Sequence, residues 1–211
     1  LFSKAPHNTI KVVTIYVNPL QFDRYDDYQN YPKSLQTDLE VCMQNNITLV
    51  YVPKGDISNE IVIEKSIDLP KFTRYLCGQK REGHFLGVYK IVKYLFSIVN
   101  PDFACFGKKD FQQLLLIKYI ANTYFPGTNI IDVDTVRDIN NIALSSRLTR
   151  LSRESLSSTS RIYETLKNIK SELLKGSTFK KLKEESVDYL KANDIHVEYL
   201  DLRSLITLEE E

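Results

Sequence analysis

Short apolar runs rich in β-branched residues alternate with amphipathic segments, and this alternation most constrains how the chain can fold. The apolar runs occupy residues 10–17, 47–53, 102–106 and 129–133. Runs that are apolar at successive positions predict strands covered on both faces, as in a parallel sheet. Helical spacing of apolar side chains marks residues 35–43, 87–99 and 110–125. This order predicts βαβ units and an α/β fold, with ligands at the carboxyl ends of the strands.

The pattern changes near residue 135. Residues 137–160 are rich in Ser, Arg and Asn and predict an exposed loop. Residues 161–175 and 178–192 each place apolar side chains on one helical face, and Gly176 suits a helix C-cap between them. Residues 195–202 alternate like a half-exposed strand. We therefore predict two domains, over residues 1–134 and 135–211, the second being smaller and of the α+β type.

Composition excludes several classes of protein. The 211 residues are 43% hydrophobic and 26% charged, which is enough apolar surface for a buried core. No apolar run approaches the roughly 20 residues that cross a bilayer, so no membrane partner is expected. A net charge of +1 does not indicate a nucleic-acid partner. Three scattered cysteines, Cys42, Cys77 and Cys105, favour reduced thiols and a cytoplasmic location.

One polar stretch, residues 105–113, lies where a predicted strand becomes a helix. Gly107 would allow a tight turn, and the free N–H groups of the helix start, with Lys108 and Lys109, would attract an anion. Asp110 could cap the helix or accept a hydrogen bond from a ribose hydroxyl. A capped helix start with solvated lysines explains these residues equally well.

Amide side chains follow two of the predicted strands. Asn18 and Gln21 follow the first, and Gln112 and Gln113 follow the third. Amides both donate and accept, which suits a small ligand bearing hydroxyl and carboxylate groups. Since Gln112 and Gln113 are adjacent on a helix, only one of them can face a ligand.

A serine and arginine cluster lies in the predicted loop of the second domain. Ser145, Ser146 and Arg147 could hold a polyphosphate, although a polar linker with a helix cap is the simpler interpretation. No group of His, Asp, Glu or Cys has metal-ligand spacing, and a lone histidine such as His84 is more often a structural hydrogen-bonding residue.

Five stretches share their order and spacing with one enzyme family. They match the family patterns FVNPxQF, DYxxYP, GxxRPGHFxGV, FGEKDxQQ and RExDGLAxSSRN at residues 16–22, 27–32, 78–88, 106–113 and 137–148. The chain therefore resembles the pantothenate synthetases, which are pantoate–β-alanine ligases of the nucleotidylyl-transferase superfamily. The resemblance covers nearly the whole chain.

The resemblance implies a Rossmann-like domain over residues 1–134 and a C-terminal lid domain over residues 135–211. It also implies a reaction in which ATP adenylates pantoate and β-alanine then displaces AMP to give pantothenate. Mg²⁺ and a homodimer are further implications, whereas the metal ligands stay unknown. By the same resemblance Lys109 and Arg147 act in catalysis, and Asn18, Gln21 and Gln113 bind pantoate. The ATP-binding residues would be Gly107, Lys108, Lys109, Asp110, Val136, Leu144, Ser145, Ser146 and Arg147.

Several residues depart from the family pattern. The HxGH motif, whose histidines bind the triphosphate in the family, is not in this sequence, and Lys108 stands where the family has glutamate. Glu82, Asn140, Asn141 and Leu148 are further departures. We expect a chain truncated at both ends and slow catalysis, since one preorganised donor is worth about 10² to 10³ in rate. The alternatives are a non-catalytic descendant that binds nucleotide or a protein partner, and a nucleotidylyl transferase for another acid.

Overall fold

The computed structural model describes residues 8–55, 57, 61 and 67–210, which form two compact units, Leu1–Asp134 and Thr135–Glu211. The strands are β1 (Val12–Thr14), β2 (Leu49–Tyr51), β3 (Phe103–Gly107) and β4 (Asn129–Val133). The helices of the first unit are α1 (Tyr25–Gln29), α2 (Leu35–Gln44), α3 (Cys77–Lys80), α4 (His84–Val99) and α5 (Phe111–Tyr124). Those of the second are α6 (Arg153–Ser158), α7 (Ser160–Leu174) and α8 (Phe179–Lys191). Turns of 3₁₀ helix lie at Pro19–Gln21, Lys71–Arg74, Lys108–Asp110 and Ser146–Arg150.

The strands pair in parallel, which confirms the predicted α/β class. β1 pairs with β2 from Val12 opposite Leu49, and β3 pairs with β4 from Phe103 opposite Asn129. Among the described residues these are two separate two-stranded sheets rather than one continuous ladder. β1 and β2 are also shorter than the apolar runs that predicted them, because pairing needs a neighbouring strand that hydrophobicity alone does not reveal.

Helices α4 and α5 supply most of the core of the first unit. Phe85, Val88, Val92 and Phe96 recur at helical spacing on the buried face of α4. On α5 the buried apolar residues are Leu114, Leu116, Ile117, Ile120 and Ala121. Side chains of β3 and β4 pack against the same cluster. Because full burial of each such side chain is worth about 1.5 to 3 kcal/mol, this core holds α5 and β3 together, and with them the turn between them.

The second unit is built on α7 and α8. Ile169, Leu182 and Leu190 are buried there, and Gly176, with a φ of 96°, ends α7 as its position predicted. The prediction of a continuous loop over residues 137–160 is wrong, since α6 and a 3₁₀ turn lie within it. Those short elements carry too few apolar residues to show a periodic pattern.

The predicted strand over residues 195–202 is also wrong. Burial does alternate there, with residues 195 and 197 half-buried and residues 196 and 198 exposed, but no strand forms. The segment instead contacts α8, where the Lys183 ammonium lies 2.7 Å from the Asp201 carboxylate. In the described part of this unit, β structure is limited to the isolated bridges Arg137–Ala143 and Arg203–Glu210.

None of the helices in the described ranges combines the length and apolar character that crossing a membrane requires.

Candidate active site

The turn that follows β1 is fixed by Asn18. This side chain is only 3% exposed, and its Oδ1 accepts a hydrogen bond from the Leu20 N–H at 3.1 Å, which caps the 3₁₀ turn Pro19–Gln21. Its Nδ2 donates to the Gly87 carbonyl of α4 at 3.0 Å. The Asn18 amide, predicted to bind pantoate, is therefore engaged in holding the turn. The amide of Gln21 is partly exposed and makes no hydrogen bond within the described residues.

Helix α4 packs directly against this turn. A Cβ atom added to Gly87 would lie 2.1 Å from the Leu20 carbonyl oxygen, so only glycine permits the contact. One helical turn earlier, His84 Nδ1 lies 2.6 Å from the Gln21 carbonyl oxygen. A glycine inside an otherwise apolar helical pattern is a signal of close backbone approach, and it was available in the sequence.

The turn that follows β3 is built differently. Gly107 has a φ of −78° and a ψ of 136°, which any residue adopts, and a Cβ there would meet only the Lys109 nitrogen at 4.0 Å. The conformational freedom that Gly107 would allow is therefore not used, and the chain passes from β3 to α5 through the 3₁₀ turn Lys108–Asp110. Asp110 stands at the N-cap of α5, but its carboxylate makes no capping hydrogen bond, so its predicted capping role is wrong.

The two adjacent lysines of this turn have different surroundings. Lys108 Nζ lies 2.7 Å from the Asp134 carboxylate at the end of β4, and this hydrogen bond, with the charge of Asp134, raises the pKa of Lys108. Lys109 is exposed and has no ion pair with any residue that the structure describes. Lys109 is therefore the cation of this turn that is available to an anionic ligand.

The adjacent glutamines also separate into two roles. Gln112 is 6% exposed, and its Nε2 donates to the Phe72 and Tyr75 carbonyls, both at 2.7 Å. Its Oε1 accepts from the Cys77 N–H at 3.2 Å, so the Gln112 side chain joins α5 to the segment before α3. Gln113 is partly exposed, and its amide has no hydrogen bond to another described residue. Of the two, Gln113 is the one that can reach a ligand.

In the second unit, Val136 and residues 144–147 lie together on one loop. The Leu144 N–H donates to the Val136 carbonyl at 3.0 Å, next to the bridge between Arg137 and Ala143. Ser145 Oγ accepts from the Arg147 N–H at 3.3 Å and caps the 3₁₀ turn Ser146–Arg150. Ser146 and Arg147 are exposed. The five predicted ATP-binding residues of this unit are thus neighbours on one loop.

The departure from Asp-Gly to Asn140-Asn141 has a structural explanation. Asn141 has a φ of 62°, a left-handed conformation that glycine adopts freely and asparagine tolerates better than most residues. The Asp138 carboxylate accepts hydrogen bonds from the N–H groups of Asn140 and Ile142 at 2.9 and 2.8 Å. Asparagine can therefore replace the glycine without changing the turn.

The described residues contain no group of three or more His, Cys, Asp or Glu side chains that could hold a metal ion. Magnesium in nucleotide sites is commonly held by phosphate oxygens and water with only one or two carboxylates, so such a site needs no protein-built cage.

Comparisons with known proteins agree with the predicted resemblance. A family sequence model described as Pantoate-beta-alanine ligase matches residues 2–211. A pantothenate synthetase of Aliivibrio fischeri is 37% identical over 207 residues, which is 97% of this chain and 71% of that protein. One from Neisseria meningitidis serogroup C is 38% identical over 200 residues, covering 94% of this chain and 72% of that protein.

Solved structures give the same result. The crystal structure of pantothenate synthetase from Thermus thermophilus superposes with a TM-score of 0.85 at 29% identity, covering 95% of this chain and 73% of that one. Pantoate-beta-alanine ligase from Francisella tularensis, solved with beta-gamma ATP and beta-alanine, superposes with a TM-score of 0.81 at 28% identity and covers 94% of this chain and 73% of that one. The chain therefore belongs to the pantoate–β-alanine ligase family.

Proposed function

We propose that this chain condenses pantoate with β-alanine at the expense of ATP, through a pantoyl-adenylate intermediate. The observation that carries the proposal is that the turns after β1 and β3 offer side chains that the fold does not use. Among the described residues, the Gln21 and Gln113 amides have no hydrogen-bond partner and the Lys109 ammonium has no ion pair. A hydroxy acid and a polyphosphate are ligands that these groups suit.

In the first step, a pantoate carboxylate oxygen attacks the α-phosphorus of ATP. A new P–O bond forms, the bond between the α-phosphorus and its bridging oxygen breaks, and pyrophosphate leaves with the bonding electrons. Lys109 and Arg147 would counter the charge that develops on the departing pyrophosphate, since fixed cations directed at developing charge usually contribute most to the rate of such transfers. Asp110 would accept a hydrogen bond from the ribose, with Gly107 and Lys108 beside the phosphates.

In the second step, the neutral amine of β-alanine attacks the acyl carbon of the adenylate. The C–N bond forms, the C–O bond to phosphate breaks, AMP leaves, and the amine loses its proton to solvent. Gln21 and Gln113 would hold the pantoyl group throughout, because their amides can serve both its hydroxyl and its carbonyl oxygen. Asn18 would act by holding the Gln21 turn.

The family resemblance assigns the loop that carries Val136, Leu144, Ser145, Ser146 and Arg147 to the triphosphate of ATP, as part of a lid domain, and we propose that role for it. Mg²⁺ would supply charge neutralisation on the phosphate oxygens when bound. We also propose a homodimer, on the family resemblance, and a cytoplasmic location, on the three cysteines, all of which are free.

Pantoate-dependent exchange of labelled pyrophosphate into ATP, without β-alanine, tests the adenylate step. Exchange above the pantoate-free background is expected, because an adenylate can re-form ATP only if pantoate has been activated. A second arm uses pantoate labelled with ¹⁸O in its carboxylate and should deliver one labelled oxygen to AMP once β-alanine is added. ATP binding with no exchange would favour the non-catalytic alternative.

Gln113→Ala tests the assignment of the acid. Pantoate should bind about tenfold more weakly to this variant, since a hydrogen bond to a charged group contributes about 1.5 kcal/mol or more. The matched control is Gln112→Ala, which should lower the free energy of unfolding by about 2 kcal/mol by leaving buried polar groups unsatisfied. Unchanged pantoate affinity in Gln113→Ala would point to a different acid.

A further inference from the structure

Three contacts join the 3₁₀ turn Pro19–Gln21, called the Gln21 turn here, to the N-terminal part of α4. Asn18 Nδ2 donates to the Gly87 carbonyl at 3.0 Å, the glycine at position 87 admits the Leu20 backbone, and His84 Nδ1 lies 2.6 Å from the Gln21 carbonyl oxygen. The first contact acts on residue 18, and the close approach at Gly87 involves the Leu20 carbonyl and the Gln21 backbone nitrogen. The His84 contact acts on the Gln21 carbonyl oxygen.

The chemistry of this contact fixes the tautomer of His84. A backbone carbonyl oxygen can only accept, so Nδ1 must carry the hydrogen and Nε2 is the unprotonated nitrogen of the neutral ring. The ring is partly buried and packs edge-on against Phe85, with centroids 4.9 Å apart. Burial lowers the pKa of His84, with the Gln21 hydrogen bond opposing that shift. The charged groups that act on the ring are Arg81, Asp23 and Asp110.

His84 connects α4 to the turn after β1. It lies at the first residue of α4 and bonds that turn, and the charge of Asp110 contributes to its pKa. A side chain so placed can set the direction of the Gln21 amide relative to the turn after β3.

We propose that His84 is a positioning residue for acid recognition, whose Nδ1–H donates to the Gln21 carbonyl and thereby aims the Gln21 side-chain amide at the hydroxy acid. This inference rests on the proposed function, because it takes Gln21 to be a pantoate-binding residue. It adds a residue whose effect is on the affinity for the acid and not on the affinity for nucleotide.

Three substitutions at position 84 separate hydrogen-bond donation from packing. His84→Asn keeps an amide N–H at the distance of Nδ1 from the backbone, His84→Gln places its N–H near the position of Nε2, and His84→Leu keeps bulk without a donor. Pantoate and ATP dissociation constants would be measured by isothermal titration calorimetry on the full chain. Gln21→Ala serves as the reference for the proposed site, and the exposed Glu82→Gln serves as the control.

We expect His84→Leu and His84→Gln to weaken pantoate binding about tenfold, the ratio expected when one buried hydrogen bond is lost. The pantoate dissociation constant of His84→Asn should stay within about threefold of the wild-type value, because that variant keeps the hydrogen bond. ATP affinity should stay within about twofold in all three variants. Urea unfolding of each variant checks folding. Should His84→Leu not fold, the difference between the Asn and Gln variants decides the question.

The possible failures are distinguishable. If Gln21→Ala weakens pantoate binding but His84→Leu and His84→Gln keep wild-type affinity, the positioning role is overturned and the proposed function stands. Equal weakening by Asn and Leu overturns hydrogen-bond donation. If pantoate binds neither more nor less tightly to Gln21→Ala than to the wild type, the pantoate site itself is wrong, and the inference falls with it.

Discussion

The turns after β1 and β3 occupy corresponding places in the fold, yet they are held in opposite ways. The first is tied to α4 by the buried Asn18 amide, by His84 and by backbone contact at Gly87. The second has an uncapped helix start, a glycine with free space around it, and the exposed Lys109. The side-chain contact that ties this second turn to β4 is the ion pair of Lys108 with Asp134.

The difference fits the ligands that each turn would bind. A small acid is distinguished by the direction of a few hydrogen bonds, so the amide that recognises it must be held rigidly. A polyphosphate is attracted mainly by charge, and a flexible ammonium can follow it as bonds form and break. We infer that the open turn binds phosphate, and that the acid is selected by Gln21 in the tied turn together with Gln113 on α5.

Adding one methyl group at the glycine beside each turn, Gly87 of α4 and Gly107 after β3, should give the largest difference in stability. Gly87→Ala should lower the free energy of unfolding by about 3 kcal/mol, because overpacking against a backbone carbonyl outweighs the roughly 1 kcal/mol gain in helix propensity. Gly107→Ala is the matched control and should change stability by no more than about 0.5 kcal/mol. Urea titration measures both. Equal stability of the two variants would remove the distinction between a tied and an open turn.

Removing each lysine of the open turn should show which one binds phosphate. Lys109→Ala should weaken ATP binding by about 10- to 100-fold, the effect of losing a charge-assisted hydrogen bond. Lys108→Ala should weaken it by less than about fivefold, since its ammonium is already paired with Asp134. Calorimetric titration with ATP compares the two variants. A larger loss in Lys108→Ala would show that the ion pair opens when nucleotide binds.

The loop of the second unit extends the comparison to a third turn. Asn141→Ala should lower the free energy of unfolding by about 1 kcal/mol because alanine resists a φ of 62°. Asn141→Gly should match or slightly exceed the wild type. Chemical denaturation of the two variants and the wild type measures their order of stability directly. If the Asn141→Ala variant proved as stable as the Asn141→Gly variant, that result would contradict a left-handed conformation at residue 141.

The smallest expected effect is on pH dependence, because a single partly buried group is involved. Burial lowers the pKa of His84, so the unfolded chain binds its proton more readily as pH falls below the ordinary histidine value of about 6.5. The contribution of His84 to stability is therefore complete above that pH and declines below it. His84→Asn should show a flatter stability profile between about pH 5 and pH 8. Parallel profiles for variant and wild type would contradict the lowered pKa.

The long helices could be predicted from the sequence, whereas the short elements could not. Helices α4, α5, α7 and α8 each repeat apolar residues over three or more turns, and that period survives tertiary folding. The six residues of α6 offer too little pattern. Within residues 195–202 burial alternates only over residues 195–198, and no described strand lies beside them to complete a ladder.

The motifs of the candidate site are readable from the sequence, but residue spacing alone did not divide the roles of adjacent residues; the family resemblance singled out Lys109 and Gln113. Lys108 and Lys109 differ because Asp134, 26 residues away in sequence from Lys108, reaches only one of them. Gln112 and Gln113 differ because the carbonyls of Phe72 and Tyr75 lie beneath one side of α5. Such distinctions depend on contacts between distant segments, which spacing along the chain does not encode.

Calorimetric titration of the chain with an ATP analogue whose α–β bridge cannot be cleaved, with and without saturating pantoate, tests most directly whether the two turns serve one site. If they do, pantoate should tighten binding of the analogue by about fivefold or more, which is a typical coupling between neighbouring ligands. An identical dissociation constant in the presence and absence of pantoate would contradict a shared site.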